Sequence, residues 1–194
     1  MRGTQLAVAG REMSVPLDCP LSSASMSTVV VSPYSAEWPR HFRLIREELL
    51  SVFVPLAVDV EHIGSTSVPS LAAKPVIDVL LGARSLADIE SRIGPLRELA
   101  YTYVPKYERE IPMRRYFVRP KATTPRVHLH AVESDSRIWH EHLTFRDALR
   151  SDSNLRARYE ALKLQLAGQF ADDKAAYTAA KGPFIQAVLT AVRE

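Results

Sequence analysis

The sequence predicts an α/β (α+β) protein: a mixed β-sheet flanked by helices and followed by a helical C-terminal third. Three observations carry that prediction. Short runs with strand character fall at 57–63, 76–81, 101–105, 114–118 and 126–132. Helix-period stretches precede the first run and separate the second from the third. From Ser136 onward the helical period dominates to the end of the chain. At 194 residues, with 46% hydrophobic and 24% charged residues, one such domain has enough apolar side chains for a core.

The elements follow in order. Residues 1–27 are rich in Ser, Pro and small side chains and show no sustained period, which predicts a disordered extension ahead of a domain at 28–194. Met26 is an alternative start. Residues 29–31 read as an extended lead-in and 32–35 as a turn. Ser35 is a helix cap, and Phe42, Ile45, Leu49, Leu50 and Phe53 mark one apolar helix face. Pro39 sits in the first turn, where a missing N–H costs little. In 57–63, Val58, Val60 and His62 share one face, and Asp59, Glu61 and Ile63 the other. Gly64 to Ser67 is a turn, Pro75 forces extension, and 76–81 is apolar on both faces, as a buried central strand should be. Ser85 caps a helix running to Leu99. After the three later strands, helices are predicted at 136–150, 152–170 and from Asp172 to the end.

Composition excludes several classes. A net charge of +3 is too small to argue for nucleic-acid binding. The charge is uneven, however. Lys106, Arg109, Arg114, Arg115, Arg119, Lys121 and Arg126 stand against only Glu108 and Glu110 in one stretch, which points to an anionic ligand or to a solvated hairpin. The single cysteine, Cys19, precludes an internal disulfide and fits a reducing, cytoplasmic setting. No apolar run approaches the ~20 residues of a membrane span, and the N-terminal stretch lacks a signal-peptide pattern.

The chemistry concentrates in EHIGSTSVPSLAAKPVIDVLL, residues 61–81. Gly64, Ser65, Thr66 and Ser67 form a turn whose N–H groups and hydroxyls can cradle a phosphate, with Lys74 ten residues on. The competing reading is a turn whose hydroxyls satisfy local backbone. Asp78 lies among Val76, Ile77, Val79 and Leu80. An ionised carboxylate there needs a cation or several donors to offset its desolvation.

A second constellation is Arg126, His128 and His130, which alternate with Val127, Leu129 and Ala131 and so share a face. Two imidazoles beside an arginine suit metal ligation with Asp78, phosphate binding or general-base chemistry. On a strand, Arg114 and Arg115 point opposite ways, so only one can join Arg126 at a phosphate. His62 reads as a core histidine that can also orient the turn. Arg146 either reaches the cleft or pairs with a nearby acid, and Trp38 and Trp139 read as packing residues.

The stretch HIGSTSVPSLAAKPVIDVLLG, with His128-Leu129-His130, Phe145-Arg146-Asp147, Tyr159 with Lys163, and Tyr177 with Lys181, resembles the GrpB-like family of the nucleotidyltransferase superfamily. The resemblance spans about residues 30–190. It implies a nucleotidyltransferase-like fold and a catalytic Asp78. It further implies a nucleotide or phosphorylated small molecule as ligand and a divalent metal: Mg²⁺ or Mn²⁺, or Zn²⁺ where Asp78, His128 and His130 all ligate. A context beside dephospho-CoA kinase is also implied. Two positions depart from the pattern. Ser70 stands where a glycine is expected, and Leu80 replaces the second metal-binding carboxylate, so an inactive binding module is the alternative to an enzyme.

Overall fold

The computed structural model describes residues 29–120 and 125–193. The predicted extension, Cys19, Met26 and Lys121 lie outside the described residues. Five strands form one mixed sheet: β1 (Asp59–Ile63), β2 (Val76–Ala83), β3 (Thr102–Tyr103), β4 (Arg114–Arg119) and β5 (Arg126–Glu133), in the order β1-β2-β5-β4-β3. Only β2 and β5 run parallel; the other neighbours are antiparallel.

Register decides what shares a face, because directly opposed residues point the same way. Ile63, Asp78, His128 and Val118 form one row across the sheet. Glu61, Leu80, His130 and Tyr116 form the next. The opposite face carries Val60, Ile77, Val79, Leu81, Val127, Leu129 and Ala131, all buried. It packs under α1 (Glu37–Phe53), α2 (Leu86–Glu90) and α3 (Ile93–Glu98) through Ile45, Leu49, Phe53, Ile89 and Leu96.

The Asp78 face is covered by α4 (Arg137–Ser151), with α5 (Ser153–Gln169), α6 (Lys174–Ala179) and α7 (Gly182–Arg193) beyond it. Contact there is close. A Cβ on Gly82 would stand 2.7 Å from Ser134 Oγ and 2.8 Å from the Trp139 ring. Phe145, Leu149, Tyr159, Ile185, Val188 and Leu189 join the helices, and Val68 and Leu71 plug the glycine–serine turn into the same cluster. Among the described residues no helix is long and apolar enough to cross a membrane.

Local chemistry sets the helix ends. Ser35 accepts from Glu37 N–H at 3.2 Å, Ser136 from Trp139 N–H at 3.3 Å, and Asp152 from Asn154 and Leu155. Two predicted helices are each split. The 85–99 helix breaks at Ser91–Arg92 because Pro95 has no N–H and fits only within a first turn, here that of α3. Pro183 does the same after Lys181, so the last predicted helix becomes α6 and α7. The lead-in at 29–31 forms no strand and leaves one bridge, Ser32 to Ala73.

Ser70 has φ +64°, the left-handed region that favours glycine. This is the physical reason for the glycine expected at that position. We predict that Ser70→Gly stabilises the fold by up to about 1 kcal/mol. Calorimetry would read a melting temperature higher by roughly 2–4 °C; an unchanged or lower value refutes the strain argument.

Candidate functional site

The site is built around Gly64. Its φ of +68° with ψ −176° is a conformation open to glycine almost alone. The lack of a side chain is also required sterically, since a Cβ would lie 2.4 Å from Asp78 Oδ2. Backbone and carboxylate therefore touch where β1 ends. Ser65–Ser67 continue as one 3-10 turn.

Two of the turn's hydroxyls serve the turn itself. Ser67 Oγ donates to the Gly64 carbonyl at 2.7 Å, and Thr66 Oγ1 donates to the Val76 carbonyl at 2.9 Å. His62 Nε2 lies 3.1 Å from Thr66 Oγ1. The threonine's one proton is already committed to Val76, so His62 Nε2 is the donor and carries the proton. The ring stacks on Phe42 at 4.7 Å. Burial, with Arg150 and Arg146 nearby, pushes its pKa down to about 3. His62 is thus a neutral core residue that holds the turn. Thr66 and Ser67, expected at a phosphate, are buried and turned to backbone instead. Ser65 alone of the three hydroxyl residues lines the cavity beside Asp78.

Asp78 is 13% exposed, with Oδ1 3.3 Å from His128 Nδ1 and 4.0 Å from His130 Nε2. The sheet thus brings Gly64, Ser65, Asp78, His128 and His130 together. The surroundings of His130 oppose the expected ligand role. Its Nδ1 lies 3.3 Å from Arg114 Nη1, a permanent donor, so Nδ1 accepts and Nε2 carries the hydrogen toward Asp78. Burial, then Arg114, holds its pKa well below the usual histidine value. A metal at His130 would require the other tautomer facing a guanidinium.

The remaining expected residues separate. Arg114 is buried behind His130 and lies over the Tyr116 ring, so it fixes a tautomer and does not reach a ligand. Arg115 is on the opposite face, paired with Glu90 at 2.7 Å and Glu108 at 3.7 Å. Lys74 turns toward α6, its Nζ 4.1 Å from the Tyr177 ring centroid. Arg126 shares the His128 face, half-buried, and its Nε has no hydrogen-bond partner among the described residues.

An interior void of about 30 Å³ opens between Gly64, Ser65 and Asp78 on the sheet side and His142, Phe145, Arg146 and Tyr159 on the helix side. That volume suits one water or ion. Arg146 spans the layers: Nη1 donates to Glu61 at 2.6 Å and to the His62 carbonyl at 3.2 Å, and Nε to Asp147 at 2.8 Å. Arg150 donates to the Ser67 carbonyl at 3.1 and 2.9 Å. The expectation left Arg146 open and omitted Arg150; their four-residue spacing on one helix face was the available signal. Two buried lysines also carried no assigned role. Lys163 donates to the Ala72 carbonyl and lies over Tyr159, and Lys181 lies over Tyr177, the ring shared with Lys74.

For a metal, the donor chemistry is decisive. No three His, Cys, Asp or Glu side chains among the described residues come together as a cage. Asp78 and His128 remain, and Leu80 is buried where a second carboxylate would stand. That set does not suit a Zn²⁺ held by protein alone. It fits a single Mg²⁺-like ion that takes its other ligands from water and phosphate, and such an ion would supply charge neutralisation.

Comparison with known proteins gives a consistent picture. The family described as GrpB protein matches residues 28–191. UPF0157 protein YqkA of Bacillus subtilis is 38% identical over 154 residues, 79% of this chain and 44% of that one, so the chain spans under half of that relative. A dephospho-CoA kinase of Mycolicibacterium paratuberculosis is 28% identical over 199 residues, 90% of this chain and 49% of that one. The crystal structure of conserved protein GrpB from Enterococcus faecalis superposes with TM-score 0.73 at 30% identity, covering 85% of this chain and all of that one. The Cid1 poly(U) polymerase gives TM-score 0.50 at 11% identity over 77% and 49% of the two chains, a likeness of fold. The sheet and its helices are nucleotidyltransferase-like, as the sequence led us to expect.

Proposed function

The chain belongs to the GrpB family, and from that premise we propose that its cleft binds a nucleotide through the phosphates, together with one divalent cation at Asp78. One observation carries the reading. The turn at Gly64 gives up a side chain and adopts a glycine-only conformation in order to seat against the Asp78 carboxylate. A scaffold has no need of that approach; a cation shared between a carboxylate and a phosphate on the turn does. Asp78 and His128 are the partly exposed edge at which phosphates arrive, and the small void behind them is ion-sized. Ser65 lines the void, Arg126 shares the His128 face of β5, and Lys163 lies over Tyr159, a ring of the same lining.

Leu80 favours binding, or chemistry with a single ion, over the two-ion transfer reaction. His128, against Asp78, is the group placed to accept a proton from an attacking hydroxyl in the catalytic version of this reading. The similarity to a dephospho-CoA kinase supports testing dephospho-CoA and coenzyme A beside the nucleoside triphosphates.

The test is calorimetric titration of nucleoside triphosphates and dephospho-CoA, with and without Mg²⁺ or Mn²⁺, into the parent and Asp78→Asn. The expected result is binding that requires the metal and weakens at least about tenfold in the variant. Binding indifferent to both metal and variant, or none to any of these ligands, sinks the reading. Pyrophosphate release with candidate acceptors then separates enzyme from binding module.

A further inference from the structure

A second cavity, of about 470 Å³, lies on the other side of the glycine–serine turn, at the β1 edge of the sheet. Its volume falls in the range of small-molecule pockets, unlike the ion-sized void at Asp78. Ser67 lines it, whereas Ser65 lines the void. Pro39, Phe42 and Pro69 provide apolar walls. Arg43 of α1, Arg150 at the end of α4 and Arg156 of α5 bring three guanidinium groups to it.

Charge balance is the informative feature. Among the described residues the one carboxylate lining the cavity is Glu61, and Arg146 engages it at 2.6 Å; Asp147, outside the lining, stands 3.6 Å from Arg150 Nη1 and so offsets one of the three guanidinium charges. Burial and the neighbouring Arg146 lower the pKa of Arg150, as expected where cations crowd. Arg150 and Arg156 are aimed by backbone: Arg150 by the Ser67 carbonyl and Arg156 by the Leu149 carbonyl at 3.1 Å. Ser70, held at φ +64°, also lines the cavity. A non-glycine residue in that conformation beside a basic pocket is the kind of local strain that accompanies binding sites.

We propose that this cavity is a separate binding site for a phosphate-bearing small molecule, its phosphate held by Arg43, Arg150 and Arg156 and its body against Phe42, Pro39 and Pro69. Guanidinium forks match phosphate oxygens pairwise, which ammonium groups do not. Phe42 is already fixed by its stack on His62, so the apolar wall is preorganised. This site does not depend on a metal or on Asp78.

The probe is phenyl phosphate, which joins the phosphate to one flat apolar group, titrated into the full chain and followed by calorimetry. The parent binds with a dissociation constant on the order of 1 mM or tighter. Arg43 is exposed and stands outside every hydrogen bond and ion pair of the described residues, so Arg43→Glu leaves the fold intact. It and Arg156→Gln each weaken binding about tenfold or more. Asp78→Asn binds as the parent does. The proposal is overturned by absence of saturable binding up to about 10 mM, by either arginine variant keeping the parent affinity, or by tighter binding in Asp78→Asn, since relief of carboxylate–phosphate repulsion would place the metal-free phosphate in the other cleft. Because no metal or nucleotide enters, failure here leaves the Asp78 reading standing, and success does not require it.

Discussion

Gly64→Ala will cost the protein both stability and the geometry of its site. The new methyl carbon starts 2.4 Å from Asp78 Oδ2, with the Asp78 Cβ and Cγ at 3.0 Å. These atoms belong to a strand flanked on both sides, so the carboxylate must turn away by about 1 Å to reach ordinary contact. Alanine also resists φ +68° with ψ −176°, at about 1–3 kcal/mol. Together the penalties come to about 3 kcal/mol, a large part of the 5–15 kcal/mol typical of a domain. Melting should fall by roughly 6–12 °C, and any metal-dependent nucleotide affinity should fall with it, since Asp78 no longer faces the turn. Gly168→Ala is the control: it lies in α5, nothing approaches its missing Cβ within 4 Å, and it should be neutral or slightly stabilising. Equal melting of parent and Gly64→Ala would mean that the close approach carries no weight.

The same contact shows how far the sequence could be read. Alternation along β5 and the apolar run of β2 put Asp78 and the histidines on one face, and the register agrees. The sequence also held the family pattern that Ser70 and Leu80 break. What it could not give was depth. Alternation says that Arg114, His128 and His130 point one way or the other; it does not say that α4 covers His130 and leaves His128 at 19% exposure. That difference decides which imidazole can meet a ligand. Likewise, three hydroxyls in one turn look equivalent in a string, yet Thr66 donates to the Val76 carbonyl of β2 and Ser67 to Gly64 within the turn, which leaves Ser65 to face the void. Arg43, Arg150 and Arg156 are scattered over three helices, and only the packing of α1 against the turn makes them neighbours. Local signals therefore found the strand-borne groups, and long-range packing chose among them.

Acid should destabilise this protein before its carboxylates titrate. His62 is neutral in the native state, its pKa at about 3, while the unfolded chain returns it to the ordinary histidine value of 6.5. Between those limits the unfolded state binds a proton that the native state does not. Stability is therefore fully present above pH 6.5 and declines as pH falls, by a little over 1 kcal/mol per unit, until about pH 3. The groups around His62 offer no escape. Arg146 and Arg150 face it as cations, Nε2 already donates to Thr66, and Phe42 covers the ring. His130, buried against Arg114, shifts in the same direction and adds to the slope. Urea midpoints at pH 7.5, 6, 5 and 4.5 should fall steadily, with His62 alone accounting for a loss on the order of 3 kcal/mol by the last. His62→Gln, whose amide can still donate toward Thr66, should begin less stable for want of the Phe42 stack but lose less on acidification. If parent and variant lose stability in parallel from pH 7.5 to 4.5, the imidazole is not the proton acceptor and the hydrogen-bond assignment at Thr66 is wrong.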